Sequence, residues 1–292
     1  MTGHNFSDPR LSFLVFRSRS GSTFFGDRLS RHPEVLVTPE SNVVPRLVEY
    51  FKESPRKDCR KDKLVEYIYN EQKFREWGLP REMLANEFNQ LEEADWPTIF
   101  FACCKAYRDW QKPEAKVVVF KKSGWYYKNI DLLLETYPGS MGMWIIRDPR
   151  AVYNSACKAL HSEKKKPMAD NIFENAFGWR DFAKRLSKAK DKWRGRVLTV
   201  LYESFLSDVS GTLNYIWQRL GLQILNNIEL NELVEQPGYS HLVTSSTSHL
   251  HCNVTQGPIF ERAEKWKDEL PRWRSTLIRL ICKKDMRIHG YR

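Results

Sequence analysis

Short apolar runs and longer amphipathic stretches succeed one another along the chain. The apolar runs are rich in β-branched residues and predict buried strands at 11–16, 35–38, 116–120, 141–146 and 196–201. The longer stretches have helical periodicity and predict helices at 24–31, 125–136, 149–160, 173–190, 209–220 and 261–273. Alternating strands and helices predict an α/β fold with a central, mainly parallel sheet flanked by helices.

One long stretch interrupts this alternation. Apolar residues recur at helical spacing from about 43 to 112, between the second and third predicted strands. No internal repeat or low-complexity linker marks a boundary on either side. We therefore predict a single domain over 1–292 with a mostly helical insert at about 43–112.

The loop after the first strand is the strongest candidate for chemistry. Strand, small-residue loop and helix form the layout of a phosphate-binding loop, whose backbone N–H groups and helix N-terminus attract an anion. The residues involved are Arg17, Arg19, Ser20, Gly21, Ser22, Thr23 and Phe24. The pattern GxxxxGK(S/T) of P-loop NTPases is absent. The alternative is a polar turn with a serine or threonine helix cap.

Polar residues also follow the other predicted strands. Glu40 follows the second strand, and Lys121 and Lys122 follow the third. Ligands collect at the carboxyl ends of strands in open α/β sheets, so Glu40 is expected near the ligand of the first loop. Alternatively, Glu40 is an acid at a helix start. Arg147 follows the fourth strand, and Asp148-Pro149 has the pattern of a helix N-terminus.

Composition narrows the partners and the compartment. The net charge of +11 and the pI of about 9.3 favour an anionic ligand of some kind. The N-terminus has no apolar signal-peptide region, and no apolar run is long enough to span a membrane. The six cysteines have no CxxC spacing, so free thiols are expected. A reducing, cytoplasmic location follows as a prediction.

The Ser/Thr/His-rich segment 238–256 is a candidate lid.

Two segments, in this order, resemble signatures of the sulfotransferase superfamily, whose members move a sulfuryl group from 3′-phosphoadenosine-5′-phosphosulfate (PAPS). The first signature is a strand followed by (K/R)-S-G-(S/T)-(S/T), here Arg19-Ser20-Gly21-Ser22-Thr23. The second is a strand followed by Arg-x-Pro, with a serine eight residues after the arginine, here Arg147-Asp148-Pro149 and Ser155. Tyr202-Glu203 resembles the Tyr-Glu that follows a later strand in the family. The resemblance implies a fold related to the P-loop nucleotide kinases.

The same resemblance implies roles for individual residues. The first signature would bind the 5′-phosphosulfate and the second the 3′-phosphate. The residues expected to bind PAPS are Arg17, Arg19, Ser20, Gly21, Ser22, Thr23, Phe24, Arg147, Ser155 and Tyr202. Members that act on phenols and steroids carry a histidine after the central strand, where this chain has Lys121-Lys122-Ser123-Gly124. The chain is therefore more similar to carbohydrate-type and bacterial sulfotransferases. This similarity implies that Glu40 would be the base and that Arg19 and Lys122 would stabilise the leaving group.

The resemblance also implies the reactants. The acceptor would be a hydroxyl on a carbohydrate, a lipid-linked glycan or a natural product, the product PAP, and no metal or nucleic acid would take part. A nucleotide-dependent kinase and a non-catalytic polyanion-binding protein remain as alternatives. The motifs determine neither the acceptor nor the oligomeric state.

Overall fold

The structure, a computed structural model, describes residues 8–53, 60–160, 166–226, 241–250 and 261–292. Five parallel strands form one sheet in the order β2-β3-β1-β4-β5. Their bounds are Arg10–Phe16 (β1), Val35–Val37 (β2), Val117–Ser123 (β3), Gly142–Ile146 (β4) and Val197–Leu201 (β5). The predicted α/β fold with a central parallel sheet is confirmed.

Both faces of the sheet are buried, which explains the continuous apolar runs. Alternate side chains of β1 enter two separate cores, because successive side chains of a strand point to opposite faces. Phe13 and Val15 belong to the core beneath the insert, whereas Leu14 and Phe16 pack against the helix that follows β1 and the helices after β5.

The first half of the chain supplies eight helices within the described residues. They are Ser22–Leu29 (α1), Val43–Glu53 (α2), Lys61–Tyr69 (α3), Gln72–Arg75 (α4), Arg81–Asn89 (α5), Trp96–Gln111 (α6), Trp125–Lys128 (α7) and Ile130–Thr136 (α8). Helices α2 to α6 lie between β2 and β3, in the region where the insert was predicted. The helix predicted over 125–136 is divided at Asn129, whose φ of −120° is not helical.

The second half supplies seven α-helices within the described residues and a 3₁₀ turn at Ser248–Leu250. The α-helices are Pro149–Lys158 (α9), Ile172–Lys192 (α10), Tyr202–Ser207 (α11), Val209–Arg219 (α12), Glu261–Glu264 (α13), Trp266–Glu269 (α14) and Arg272–Ile288 (α15). The helix predicted over 261–273 is wrong in its extent. Pro271 cannot continue α14, and it starts the longer helix α15 instead.

Other predictions fall partly outside the described residues. Cys103, Cys104, Cys157 and Cys282 are free thiols, whereas Cys59 and Cys252 lie outside the part of the chain that the structure describes. Of the candidate lid 238–256, only 241–250 is described. Over the described ranges, every helix is too short or too polar to cross a membrane.

Candidate functional site

The loop between β1 and α1 has the backbone of an anion-binding turn. Arg19 and Gly21 have positive φ angles of 70° and 82°. Gly21 is the N-cap of α1, and no N-cap side chain accepts a hydrogen bond there. The alternative interpretation of this loop, a polar turn with a serine or threonine helix cap, therefore does not apply. The N-terminal end of α1 therefore presents backbone N–H groups that can donate hydrogen bonds to a bound anion. Ser20, Ser22 and Thr23 are buried around this turn.

The second motif lies directly against this loop, although more than a hundred residues separate them. Arg147, at the end of β4, donates from Nη1 to the Arg19 carbonyl at 3.2 Å. Arg19 in turn donates from Nε to the Ser155 hydroxyl, on α9, at 3.1 Å. The buried Nε–H of Arg147 has no hydrogen-bond partner among the described residues. The two predicted phosphate-binding motifs thus form one cationic site.

Tyr202 supports this site from the start of α11. Its ring lies where a side chain at Gly21 would be, because a Cβ built on Gly21 would be 2.1 Å from Cε2 of Tyr202. The Arg147 guanidinium lies over the same ring, 4.8 Å from its centroid. Glu203 accepts a hydrogen bond from the Asp148 N–H at 3.0 Å and links α11 to the start of α9. Tyr202 therefore packs against both phosphate motifs.

Glu40 lies between two lysines of β3. One carboxylate oxygen accepts from Lys121 Nζ at 3.1 Å and the other from Lys122 Nζ at 3.0 Å. Burial alone would raise the pKa of Glu40, but the charges of Lys121, Lys122 and Lys73 outweigh it and hold that pKa well below its usual range. Burial lowers the pKa of Lys121, although its ion pair with Glu40 opposes this. The sequence had suggested that both lysines follow the third strand, but they lie within β3.

Lys73, in the short helix α4 of the insert, is a third cation at this site. Its pKa is lowered by burial and by the neighbouring charge of Lys122, while Glu40 acts in the opposite direction. Glu71 holds α4 in place. Its carboxylate caps α4 by accepting the N–H of Phe74 at 2.8 Å, and it also accepts the N–H of Asn42 at 3.4 Å. Asn42 lies two residues after Glu40, so Glu71 connects the insert to the loop that carries Glu40.

The segment 241–250 connects the insert to the sheet. His241 Nε2 lies 2.7 Å from the carbonyl oxygen of Val37, at the end of β2. Ser245 and Ser246 donate from their hydroxyls to the Glu76 carboxylate of the insert, at 3.3 and 2.6 Å. Burial would raise the pKa of Glu76, but these hydroxyl donors lower it below its usual value. The described part of the candidate lid thus joins the insert to the carboxyl end of the sheet.

Some residues predicted for the site face elsewhere. The Arg17 guanidinium donates to the Asn175 carbonyl of α10 at 3.3 Å, and Tyr127 is a second partner. Burial lowers the pKa of Arg17. The Phe24 ring packs against the Phe205 ring of α11, with their centroids 5.8 Å apart. Lys73 was not predicted for the site, because a helix of four residues has no hydrophobic periodicity. A lysine within the predicted helical insert was the one signal that the sequence offered.

A family profile and several solved structures match this chain. The profile, described as the sulfotransferase family, matches residues 13–226, which is more than half of the chain. The fold is similar to the sulfotransferase domain from the curacin biosynthetic pathway, with a TM-score of 0.62 and 14% identity over 97% of this chain and 98% of that one. It is also similar to the sulfotransferase domain from the Synechococcus PCC 7002 olefin synthase, with a TM-score of 0.58 and 18% identity over 96% and 97% of the two chains.

A third similar structure contains a nucleotide. It is the mouse sulfotransferase SULT7A1 complexed with PAP, with a TM-score of 0.55 and 12% identity over 95% of this chain and 85% of that one. At these identities the structural likeness shows a shared fold alone. No curated protein matches this sequence.

Proposed function

The chain belongs to the sulfotransferase family, and we propose that it transfers a sulfuryl group from PAPS to an acceptor hydroxyl. The observation that carries the donor assignment is the contact of the two phosphate motifs, in which Arg19 bridges to Ser155 and Arg147 binds the Arg19 carbonyl. A nucleotide with phosphates at both its 5′ and 3′ positions needs two adjacent anion sites. PAP in the mouse structure supports this donor by analogy of fold.

In the proposed donor complex, each motif binds one phosphate group. The turn at Ser20–Thr23 and the N-terminus of α1 bind the 5′-phosphosulfate, whose charge is attracted by the helix dipole. Arg147 and Ser155 bind the 3′-phosphate, and the unpartnered Nε–H of Arg147 gives it a further donor. Arg19 hydrogen-bonds Ser155 in this structure. Its predicted contact with the departing oxygen therefore needs the guanidinium to reorient when the donor binds.

Glu40 is the proposed base. With both lysine partners in place its pKa is well below its usual range, so Glu40 is ionised but a weak proton acceptor. A bound phosphosulfate is a competing anion for Lys122. When Lys122 turns towards the donor, Glu40 loses one partner and its pKa rises. The base is then strengthened when the donor is present.

The transfer itself is a single in-line displacement. The acceptor oxygen attacks sulfur and gives its proton to the Glu40 carboxylate, while the bond between sulfur and the 5′-phosphate oxygen breaks and PAP leaves. Negative charge grows on that phosphate oxygen, where Lys122 and Arg19 stabilise it. Lys73 adds to the positive potential from the insert. The scheme uses no metal.

The acceptor is proposed by class only. It is a hydroxyl of a carbohydrate, a lipid-linked glycan or a natural product, and it would approach Glu40 beside helix α4 of the insert, whose Lys73 acts on the Glu40 carboxylate. A cytoplasmic location and the absence of a nucleic-acid partner belong to the same proposal.

Calorimetric titration with PAP, in buffer containing EDTA, tests the donor site. We expect micromolar binding, and Arg147→Ala should weaken it while leaving the affinity for adenosine 5′-phosphate nearly unchanged. Arg185→Ala removes an arginine that pairs with Asp181 on the surface of α10, so it serves as a matched control. An equal loss for both nucleotides would refute the 3′-phosphate assignment.

The same titration separates the alternatives. Absence of PAP binding, together with binding of ATP and Mg²⁺, would favour a kinase. Salt-sensitive binding of heparin with no nucleotide binding would favour a polyanion-binding protein.

A further inference from the structure

The last helix, α15, has an exposed face on which apolar and basic side chains alternate. Trp273 and Leu280 are 61% and 62% exposed. They lie seven residues apart, so they project in nearly the same direction from a helix of 3.6 residues per turn. Lys284 and Arg287 continue the same stripe and are exposed. We call this the α15 surface: Trp273, Leu280, Lys284 and Arg287, with the flanking basic residues Arg272, Arg279 and Lys283.

The opposite face of α15 attaches the helix to the protein. Cys282 donates from Sγ to the Ala176 carbonyl of α10 at 3.5 Å, and Ile278 and Met286 are buried in the same core. The exposed apolar side chains are therefore not needed to hold α15 in place.

The charge of this surface is of one sign. Asp285 is the single carboxylate of α15, and it is buried and paired with Arg180 at 3.3 Å. Over the described residues, no ion pair involves the exposed basic residues of the α15 surface. Arg274 stacks on the Trp273 ring at 5.1 Å and adds a further cation. These charges contribute to the net charge of +11.

We propose that the α15 surface binds the anionic surface of a lipid bilayer, with α15 lying flat on it. Tryptophan and leucine among lysines and arginines are the composition of interfacial helices, in which the apolar side chains enter the boundary of the acyl chains and the basic ones meet lipid phosphates. Duplex nucleic acid and acidic polysaccharide would use the basic residues alone and leave Trp273 and Leu280 without a function, and a single strand could stack on Trp273 but would leave Leu280 unused. The stripe spans roughly 20 Å along the helix, so both apolar side chains can insert at once. The proposal is independent of the sulfotransferase reaction.

Flotation of the full chain with vesicles is the test. We expect binding to vesicles of phosphatidylcholine with about 30% phosphatidylserine, weak binding to phosphatidylcholine alone, and release at high salt. Trp273→Ser with Leu280→Ser should lower the affinity by about tenfold or more, because both inserted side chains are lost. Tyr215→Ser with Ile224→Ser is the matched control, since these side chains are 52% and 54% exposed outside α15. Equal unfolding midpoints of the two double variants show that both are folded.

A second readout checks insertion directly. Lipids brominated on their acyl chains should quench tryptophan fluorescence in the native chain and markedly less in Trp273→Phe. Failure to bind anionic vesicles, equal binding by the Trp273/Leu280 variant, or binding of heparin or duplex DNA without vesicle binding would each overturn the proposal.

Discussion

Gly21→Ala is the sharpest test of how the phosphate loop is built. The new Cβ would lie 2.1 Å from Cε2 and 2.5 Å from Cδ2 of the Tyr202 ring, well inside van der Waals contact. The backbone φ of 82° is also unfavourable for any residue with a Cβ. The substitution therefore combines backbone strain with a clash against a buried ring.

The two effects can be separated by a second glycine. Gly195 has a φ of 81°, and a Cβ built there would have its nearest contact with Nη2 of Arg219, at 4.0 Å. A positive φ costs roughly 1–2 kcal/mol for an alanine at either site. The clash with Tyr202 adds roughly 1–3 kcal/mol, as overpacking does in a filled core. We expect Gly21→Ala to lose about 2–5 kcal/mol of unfolding free energy and Gly195→Ala about 1–2 kcal/mol.

Urea unfolding of both variants measures this difference, and PAP titration measures its effect on binding. Displacing the Tyr202 ring also displaces Arg147, which lies over it, so PAP affinity should fall by about tenfold in Gly21→Ala and stay unchanged in Gly195→Ala. Equal losses of stability in the two variants would refute the close packing of Tyr202 on the loop.

Four further predictions concern the base, the insert, pH and helix capping. Glu40→Gln should keep PAP affinity but reduce sulfuryl transfer from labelled PAPS by about 100-fold; near-normal transfer would exclude Glu40 as the base. The charge of Lys73 lowers the pKa of Glu40, so Lys73→Gln should move the acid limb of the pH–rate profile to higher pH, whereas Arg75→Gln on the same helix should not. Burial lowers the pKa of His241 below its usual value of 6.5, so the unfolding free energy should fall as pH drops from 7 to 5, and His241→Gln should reduce that fall. The Asp95 carboxylate caps α6, so Asp95→Ala should cost about 1 kcal/mol in urea unfolding, at an m-value like that of the native chain.

Much of the fold follows from local patterns in the sequence. Strands buried on both faces are continuous apolar runs, so all five described strands were predicted within a few residues. Asp148 and Pro149 were expected to start a helix, and Asp148 accepts the N–H of Arg150 at 2.8 Å there. The order of the strands in the sheet was not predicted, because it depends on contacts between segments distant in sequence.

The site was harder to predict than the fold. Glu40 was expected near the ligand of the first loop, but its ion pairs with Lys121 and Lys122 were not predicted, because they depend on β3 extending to Ser123. Arg17 has the same charge as Arg19 in the same loop, yet its side chain leaves the loop for α10. The charge of Lys73 acts on Glu40, and α4 is held near the Glu40 loop by the hydrogen bond between Glu71 and Asn42, which are 29 residues apart. No local pattern contains such information.

The hydrogen bonds of Glu76 with Ser245 and Ser246 have a consequence for chimeric enzymes. A graft of the insert from a relative, made to change the acceptor, would replace Glu76 but leave its hydroxyl partners behind. The serine donors would then face a foreign surface, and the segment 241–250 would lose its attachment to the insert. The insert and this distant segment therefore form one transplantable module, and they should be exchanged together.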